Sequence, residues 1–561
     1  MSKEPQLVGY HPETGKPRMR VPTDYMPKPF ARLGAYNGQA LFQPKLSAKA
    51  EVKLGREAAL RNVQALERNN ELVRGGLDRK AHTVVGASMF PIATPDLRWL
   101  KQDIEWGLEY RQAVSSVWNE WGDDDRMLCD AEGHYKINGL LWQGFRTMVG
   151  GDAEVAGYIG YDRERADRYN HKWATYVHLL DPARIGTPPN RDEQDGSIFE
   201  GRELDPLGRM TGIHCLKRHP SDGGKEANEW EFIPRETEHG RPMAFHWFIK
   251  RRAALNRAIS PLVTSLEAFE NYGTLDRALL ESAAVNTVIS SYIKTTMDPQ
   301  VVREYLSPSS DDGPSVFDLK LDAYDKMDLK VGNKRIPVLG PNDELVMENL
   351  KGSLVDSDAF RKAFLRNFAS AIGISVESLT LDYTDSTYSS IRASALNAML
   401  IVDFERRMYG GHVANLITNC VIEEAFALGI LKAPRGAPSF YEARAAYTRV
   451  RWIGPGMGWV DPLKEAKGAT ERWTLGAETL DGIAGAQGFD ALENLQTKAI
   501  EISLMKQLGI PVPGQKDPGQ EDTSANEDPD AGDAKPGKKG SKRDGDGDGV
   551  VDEEGNDDAQ P

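Results

Sequence analysis

Between residues 150 and 250 the apolar residues of this 561-residue chain leave the helical period and take up the period of strands. The runs "EVAGYIGY", "WATYVHLLD", "MTGIHCLKRH" and "PMAFHWFI" are short, rich in β-branched and aromatic residues, and separated by Gly, Pro and Asp turn formers. They predict a small sheet. The segments on either side keep helical spacing, so strands in the middle and helices at both ends place the chain in the α+β class.

The helical regions have readable limits. "AKAEVKLGREAALRNVQALERNNELVRGGLDRK", from Ala48 to about Lys80, is helical with an expected interruption at Gly75-Gly76. "LRWLKQDIEWGLEYRQAVSSVWNEW" continues the pattern, and Trp118 and Trp121, three apart on one face, are expected in the core. Ser260-Pro261 combines an N-cap with proline at the first helical position and opens a segment that reads as helix to about Lys294, roughly 50 Å at about 1.5 Å per residue. Gly273 is a candidate kink in it. Residues 357–372, 386–430 (divided at Gly410-Gly411) and 461–508 read as further helices. The Pro- and Gly-rich first 45 residues read as an extended arm.

Charge is unevenly spread. Residues 514–561 hold 15 Asp/Glu against 6 Lys/Arg, −9 of the net −15, and carry almost no apolar residues, so this tail is expected to stay disordered. The body is only mildly acidic, which excludes a strongly cationic nucleic-acid face but allows sliding contact with a polyanion. Three widely spaced cysteines, Cys129, Cys215 and Cys420, support neither a disulfide framework nor a metal knuckle and suit a reducing setting. No apolar signal segment or membrane-length run is present, so neither secretion nor membrane spanning is expected.

Enzyme signatures are missing. "DYTDSTYSSIRAS" (382–394) gathers carboxylates, hydroxyls and an arginine, but Ser389 and Ser390 lack the G-x-S-x-G context of a nucleophile elbow and are followed at once by helical spacing. They read as a helix start, with hydroxyls satisfying backbone N–H groups. There is no phosphate-binding G-x-x-x-x-G-K-[ST] loop and no H-E-x-x-H, and "GGDAEVAGYIG" lacks dinucleotide spacing. Asp123–Asp125 reads as a solvated turn rather than a magnesium site. In the tail, Asp544, Asp546, Asp548 and Asp552 occupy calcium-loop positions, yet Gly555 replaces the bidentate glutamate, so a solubilising tail is the stronger expectation than a weak calcium loop. No cofactor and no metal site in the body are predicted.

Several stretches, in order, resemble the lambda-type portal proteins of tailed bacteriophages. They are "RNNELVRGGLDRKAHTVVG" (68–86), "WNEWGDDDRMLCDAEG" (118–133), "LLDPARI" (179–185), "LDPLGRMTGIHCL" (204–216), "LRNFASAIGISVESLTLDYTDSTYSSIRAS" (365–394) and "GPGMGWVDPLKEAKG" (454–468). The family's Arg-Pro-Gly-Gln-x-Arg-Gly turn is met only in part. Arg252 and Arg257 match, while Ala253, Ala254, Leu255 and Ala258 stand for the Pro, Gly, Gln and Gly.

The resemblance implies a non-enzymatic ring of wing, stem, clip and crown regions, with long helices around a central channel. A dodecamer at the capsid vertex would package and eject double-stranded DNA and bind the terminase large subunit, capsid or scaffold proteins and a head-tail connector. It implies a virion location, with assembly in the host cytoplasm. The alternatives are a minor capsid or scaffold-type structural protein and a serine hydrolase.

On this division 1–47 is the arm, 48–257 wing-like, 258–295 a stem-associated helix, 296–345 clip-like, 346–385 a channel loop with its adjoining helix, 386–513 wing and crown helices, and 514–561 the acidic tail. Residues 348–356 are expected to form a loop facing the channel, with Lys351 and Asp356 nearest DNA. Asp382, Asp385, Tyr388, Arg392, Arg252 and Arg257 are expected to act structurally, within or between subunits, with Asp382 and Asp385 accepting hydrogen bonds and Arg392 tying the helix start to a neighbouring segment.

Overall fold

The computed structural model describes residues 6–10, 17–20, 47–193, 196–223, 228–288, 292–295, 330–331, 334–335, 343–346, 351–384, 387–456, 458 and 462–512. The acidic tail with Asp544, Asp546, Asp548 and Asp552, most of the clip-like segment, and Asp385 lie outside these residues. Of the N-terminal arm, Gln6–Tyr10 and Pro17–Arg20 pair as an antiparallel hairpin.

Asn70 separates the first two helices. It ends Ala48–Asn69 and its side chain accepts from Val73 N at 3.1 Å to cap Glu71–Val84. The break therefore falls there and not at Gly75-Gly76, through which the second helix runs. Gly76 is needed for close approach: a Cβ at that position would lie 2.9 Å from Leu379 Cδ1 and 3.0 Å from Ile372 Cδ1.

The β-rich region forms two sheets. Thr175–Leu180, Val155–Tyr161 and Ala244–Trp247 make a three-stranded antiparallel sheet with Val155–Tyr161 in the centre. Ile198–Phe199, Arg202–Leu204, Met210–Leu216 and Trp230–Pro234 make a four-stranded antiparallel meander. Helices Glu71–Val84, Ile104–Gly122, Ile137–Val149 and Asn415–Ala427 bury the main core together with the first sheet. Trp118 and Trp121 are both inside it, and Trp121 donates to Thr175 O at 2.9 Å. A smaller core of Val52, Phe199, Met210, Ile213 and Ile233 lies under the meander.

The segment that opens at Ser260-Pro261 begins as a 3₁₀ turn, Pro261–Ser265, and continues as the helix Leu266–Val288. Gly273 does not break it: the helix runs through the glycine, which faces open space. The helix stops short of the expected Lys294 because Tyr292–Thr295 forms a strand with Asp343–Val346, a partner that no local pattern displays. The antiparallel mate of this helix, Lys351–Ile372, begins six residues before the expected start. Residues 351–356, expected as part of a loop, are thus its first turns. A helix anchored by tertiary contacts propagates cooperatively into adjoining residues, and here the anchors are aromatic. Phe269 meets Phe364 and Phe368 edge-on at 4.9 and 4.7 Å, and Tyr272 stacks on Phe364 at 4.5 Å. Asp276 pairs with Arg361 one turn further along.

Tyr388–Tyr409 and Asn415–Ala427 are not divided at Gly410-Gly411. They are joined by one π-helical turn, Gly410–Ala414. Gly410 lies where a Cβ would meet Trp452 Cδ1 at 2.8 Å, so the turn carries the helix past the strand Val450–Ile453, which pairs with Phe90–Ala93. The expected stretch 461–508 resolves into Pro462–Thr474, Leu480–Ala486 and Ala491–Leu508. Among the described residues, those up to 493 belong to one compact unit and 494–512 to a second.

Candidate functional site

The start of the Leu266–Val288 pair is held by one carboxylate. Glu154 stands at the head of the Val155–Tyr161 strand and is completely buried. Its Oε1 accepts from Arg56 Nη2 at 2.5 Å and from Arg257 Nη2 at 2.5 Å and Nε at 3.0 Å. Its Oε2 accepts from Ala258 N at 3.1 Å, with His246 Nε2 3.2 Å away. Arg257, itself buried, donates onward to the carbonyls of Glu200, Pro182 and Ile185. The hub thus joins the first helix, both sheets and the residues just before Ser260-Pro261. Ser260 Oγ adds a bond to Gly150 O at 3.1 Å.

The electrostatics follow from burial and pairing. Desolvation alone would raise the Glu154 carboxyl, but Arg257 and Arg56 override it and hold it well below the usual range. Burial also keeps His246 neutral, pushing it down to about 4 against the pull of Glu154. Asp152, two residues before Glu154, has a bond from Gln64 Nε2 at 3.0 Å and no guanidinium fork. Burial, with Asp181 and Glu154 nearby, pushes it up to about 7.

Arg252 lies in the exposed turn before the hub. Ala254, standing where the resembled motif has glycine, adopts φ +62°, so this chain keeps the left-handed turn without the residue that favours it. Ala254→Gly is expected to leave stability unchanged or raise it by up to about 1.6 kcal/mol. Relief of roughly 1–2 kcal/mol of strain is offset by the roughly 0.4–1 kcal/mol entropic cost of a freer unfolded chain. Thermal unfolding of the variant checks this, and a clear loss of stability would contradict it.

The second cluster is the stretch 382–394. Thr387 caps Tyr388–Tyr409 in a reciprocal box: Ser390 N donates to Thr387 Oγ1 at 3.3 Å, and Thr387 N donates to Ser390 Oγ at 3.0 Å. The Ser390 hydroxyl is thus occupied in the cap. Asp382 accepts from Thr384 Oγ1 at 2.5 Å and from Thr384 N at 3.0 Å, and these bonds lower its carboxyl. Tyr388 is the first helical residue. Arg392 Nη1 lies 2.9 Å from Glu465 Oε1 on Pro462–Thr474, at the rim of a cavity of about 380 Å³ floored by Leu396, Met399, Ala469 and Ile483. Lys351 and Asp356 belong to the first two turns of Lys351–Ile372. In the Asp123–Asp125 run, Asp124 is taken up by Arg126 and His171. Among the described residues no cluster of His, Cys, Asp and Glu is arranged to hold a metal ion.

Sequence reasoning missed Glu154, Asp152 and Arg56. The available signal was an acid placed at the head of an apolar strand, in the same "GGDAEVAGYIG" that fails as a dinucleotide loop.

The sequence profile described as phage portal protein, lambda family, matches residues 38–406, which includes the hub and the helix pair. The chain belongs to this family. This portal protein is 25% identical over 521 residues to the portal protein of Escherichia phage N15, covering 91% of this chain and 95% of the relative. It is 24% identical over 456 residues to portal protein B of Escherichia phage lambda, covering 80% and 84%. Among solved structures, the neck of a native gene transfer agent particle computed with C12 symmetry aligns over 80% of this chain and 94% of that chain, with a TM-score of 0.40 and 13% identity. As a portal protein the chain is a structural component of the virion. Among the described residues no helix is long and apolar enough to cross a membrane.

Proposed function

We propose that twelve copies of this portal protein close into a ring at one capsid vertex, and that double-stranded DNA is packaged and ejected through its bore. The observation that carries this reading is the family match, which extends across both helices of the pair rooted at Glu154. That pair is the stem, the 296–345 segment beyond it the clip, and the helices after 386 the wing and crown. ATP hydrolysis belongs to the terminase large subunit, which docks on the ring during assembly in the host cytoplasm. Capsid or scaffold proteins and a head-tail connector are the other partners. The body's mild acidity, 69 Asp/Glu against 63 Lys/Arg outside the tail, suits passage of a polyanion, because no net positive charge holds the phosphates.

Lys351 and Asp356, at the start of the second stem helix, are the charges closest to DNA in this reading. Arg392 and Asp382 steady the wing beside the next subunit.

Negative-stain imaging of the full chain is expected to give rings with a central hole. Uniform monomers at high concentration would overturn the ring, and closed particles without a bore would favour a minor capsid role. With rings established, Lys351→Ala combined with Asp356→Ala is expected to lower the DNA packaged per capsid. Normal packaging by that variant would remove both residues from the channel.

A further inference from the structure

Large apolar side chains left in water form ridges on two separate helices. On Tyr388–Tyr409, Leu396, Leu400 and Phe404 recur every four residues, and Leu400 is 71% exposed. On Ile104–Gly122, Ile104 and Leu108 repeat the same spacing, Ile104 is 74% exposed, and the exposed Trp99 precedes them on a short helix. Rows of i and i+4 side chains are the ridges that interdigitate when two helices cross.

The two ridges lie at opposite ends of one helical rod. The inner side of Ile104–Gly122 packs Tyr110 against Phe426, with ring centroids 6.5 Å apart, near the C-terminal end of Asn415–Ala427. Leu400 comes 26 residues earlier in the same helical run, which at about 1.5 Å per residue is roughly 39 Å away. Two different apolar faces at opposite ends suit a head-to-tail contact, whereas a two-fold contact uses one self-complementary face. Both faces carry mixed charge: exposed Glu105 and Glu109 flank the Ile104 ridge beside exposed Arg98 and Lys101, and exposed Asp403 and Arg407 flank the Leu400 ridge.

We infer that the Leu396–Leu400–Phe404 ridge of one copy packs against the Ile104–Leu108 ridge of the next, a contact that rests on the ring reading above and repeats around it. A second copy fits these faces better than DNA, because neither presents the row of cations that a phosphate backbone needs. A patch of a few hundred Å² is the most a monomer ordinarily leaves in water. Such a patch is also the right size for the apolar core of an interface burying about 800 Å² per partner.

Disulfide trapping tests the pairing, since Cys129, Cys215 and Cys420 are buried and stay silent. Full-length Leu400→Cys and Leu108→Cys chains are co-expressed, assembled and oxidised. The expected result is a covalent dimer from the mixture and none from either variant alone. Leu400→Glu is expected to give monomers with an unchanged melting temperature, because the residue it replaces faces water in the protomer.

Rings that assemble but give no adduct in the mixture would overturn the pairing and leave the ring reading standing. An adduct from Leu400→Cys alone would replace it with a two-fold contact. Mass photometry of the unmodified chain, run first, reads the ring itself, and monomers there would overturn both.

Discussion

Arg257→Ala is expected to cost about 3–5 kcal/mol of stability, the range found when one partner of a buried ion pair is removed and the other charge is left in the protein interior. Glu154 would keep Arg56 but lose the fork that supplies three of its hydrogen bonds. The carbonyls of Glu200, Pro182 and Ile185 would lose their donor at the same time. Arg257→Lys should recover only part of the loss, because an ammonium cannot reproduce a planar fork that reaches a carboxylate and three carbonyls. The two variants are to be compared by chemical denaturation and by limited proteolysis around 250–262. If Arg257→Ala unfolds within about 1 kcal/mol of the natural chain, within the spread of ordinary surface substitutions, the hub does not anchor the stem.

Asp152→Asn is expected to act in the opposite direction and stabilise the protein at pH 8. A carboxyl raised to about 7 by burial must be ionised in a poor environment at that pH, which weakens the fold. The sign follows from linkage. Stability tied to a raised carboxyl is fully present below its unfolded value of about 3.9 and is lost as pH rises to about 7. Over that interval the loss is up to about 4 kcal/mol, discounted to roughly 2–4 kcal/mol because Asp152 keeps some solvent contact.

His246 works against it. A histidine lowered to about 4 loses stability as pH falls from its unfolded value of about 6.5, by about 3 kcal/mol in all. Between about pH 4 and 6.5 the contributions of Asp152 and His246 to the stability profile of the natural chain should therefore nearly cancel. In Asp152→Asn the same profile should rise with pH, and melting scans at half-unit steps read the difference. An unchanged profile, or lower stability at pH 8, would show that Asp152 is ionised at no cost.

Local signals carried much of the fold. The strand period between 150 and 250 marked a β region, read as one small sheet and not as the two that form, because alternation is set by neighbours two residues apart whereas strand partners are not. Ser389 and Ser390 could be read as a helix start, rather than as a nucleophile, because helical spacing follows them at once; the Thr387–Ser390 capping box was seen only in the structure. Ser260-Pro261 marked a helix start through an N-cap and a proline at the first helical position. The ordered motifs of the portal family added the function.

Where expectation and structure differ, the cause lies far away in the chain. The helix that opens after Ser260-Pro261 stops at Val288 because Tyr292–Thr295 pairs with Asp343–Val346, some fifty residues on. The second helix starts at Lys351, and the break expected at Gly75-Gly76 falls at Asn70 while Gly76 serves a packing contact.

The hub is the clearest case. Arg257 was visible as a motif residue, but its partner is 103 residues away, and Arg56 lies 98 residues from the same carboxylate on the other side. By itself the sequence determined that strands lie between 150 and 250 with helices on either side, where several of those helices begin, and which family the chain belongs to, all of which depend on near neighbours or on motif order. Only the tertiary structure decided which charges are buried together, and hence which of two carboxylates two residues apart stays ionised, because desolvation and ion pairing are properties of the assembled interior.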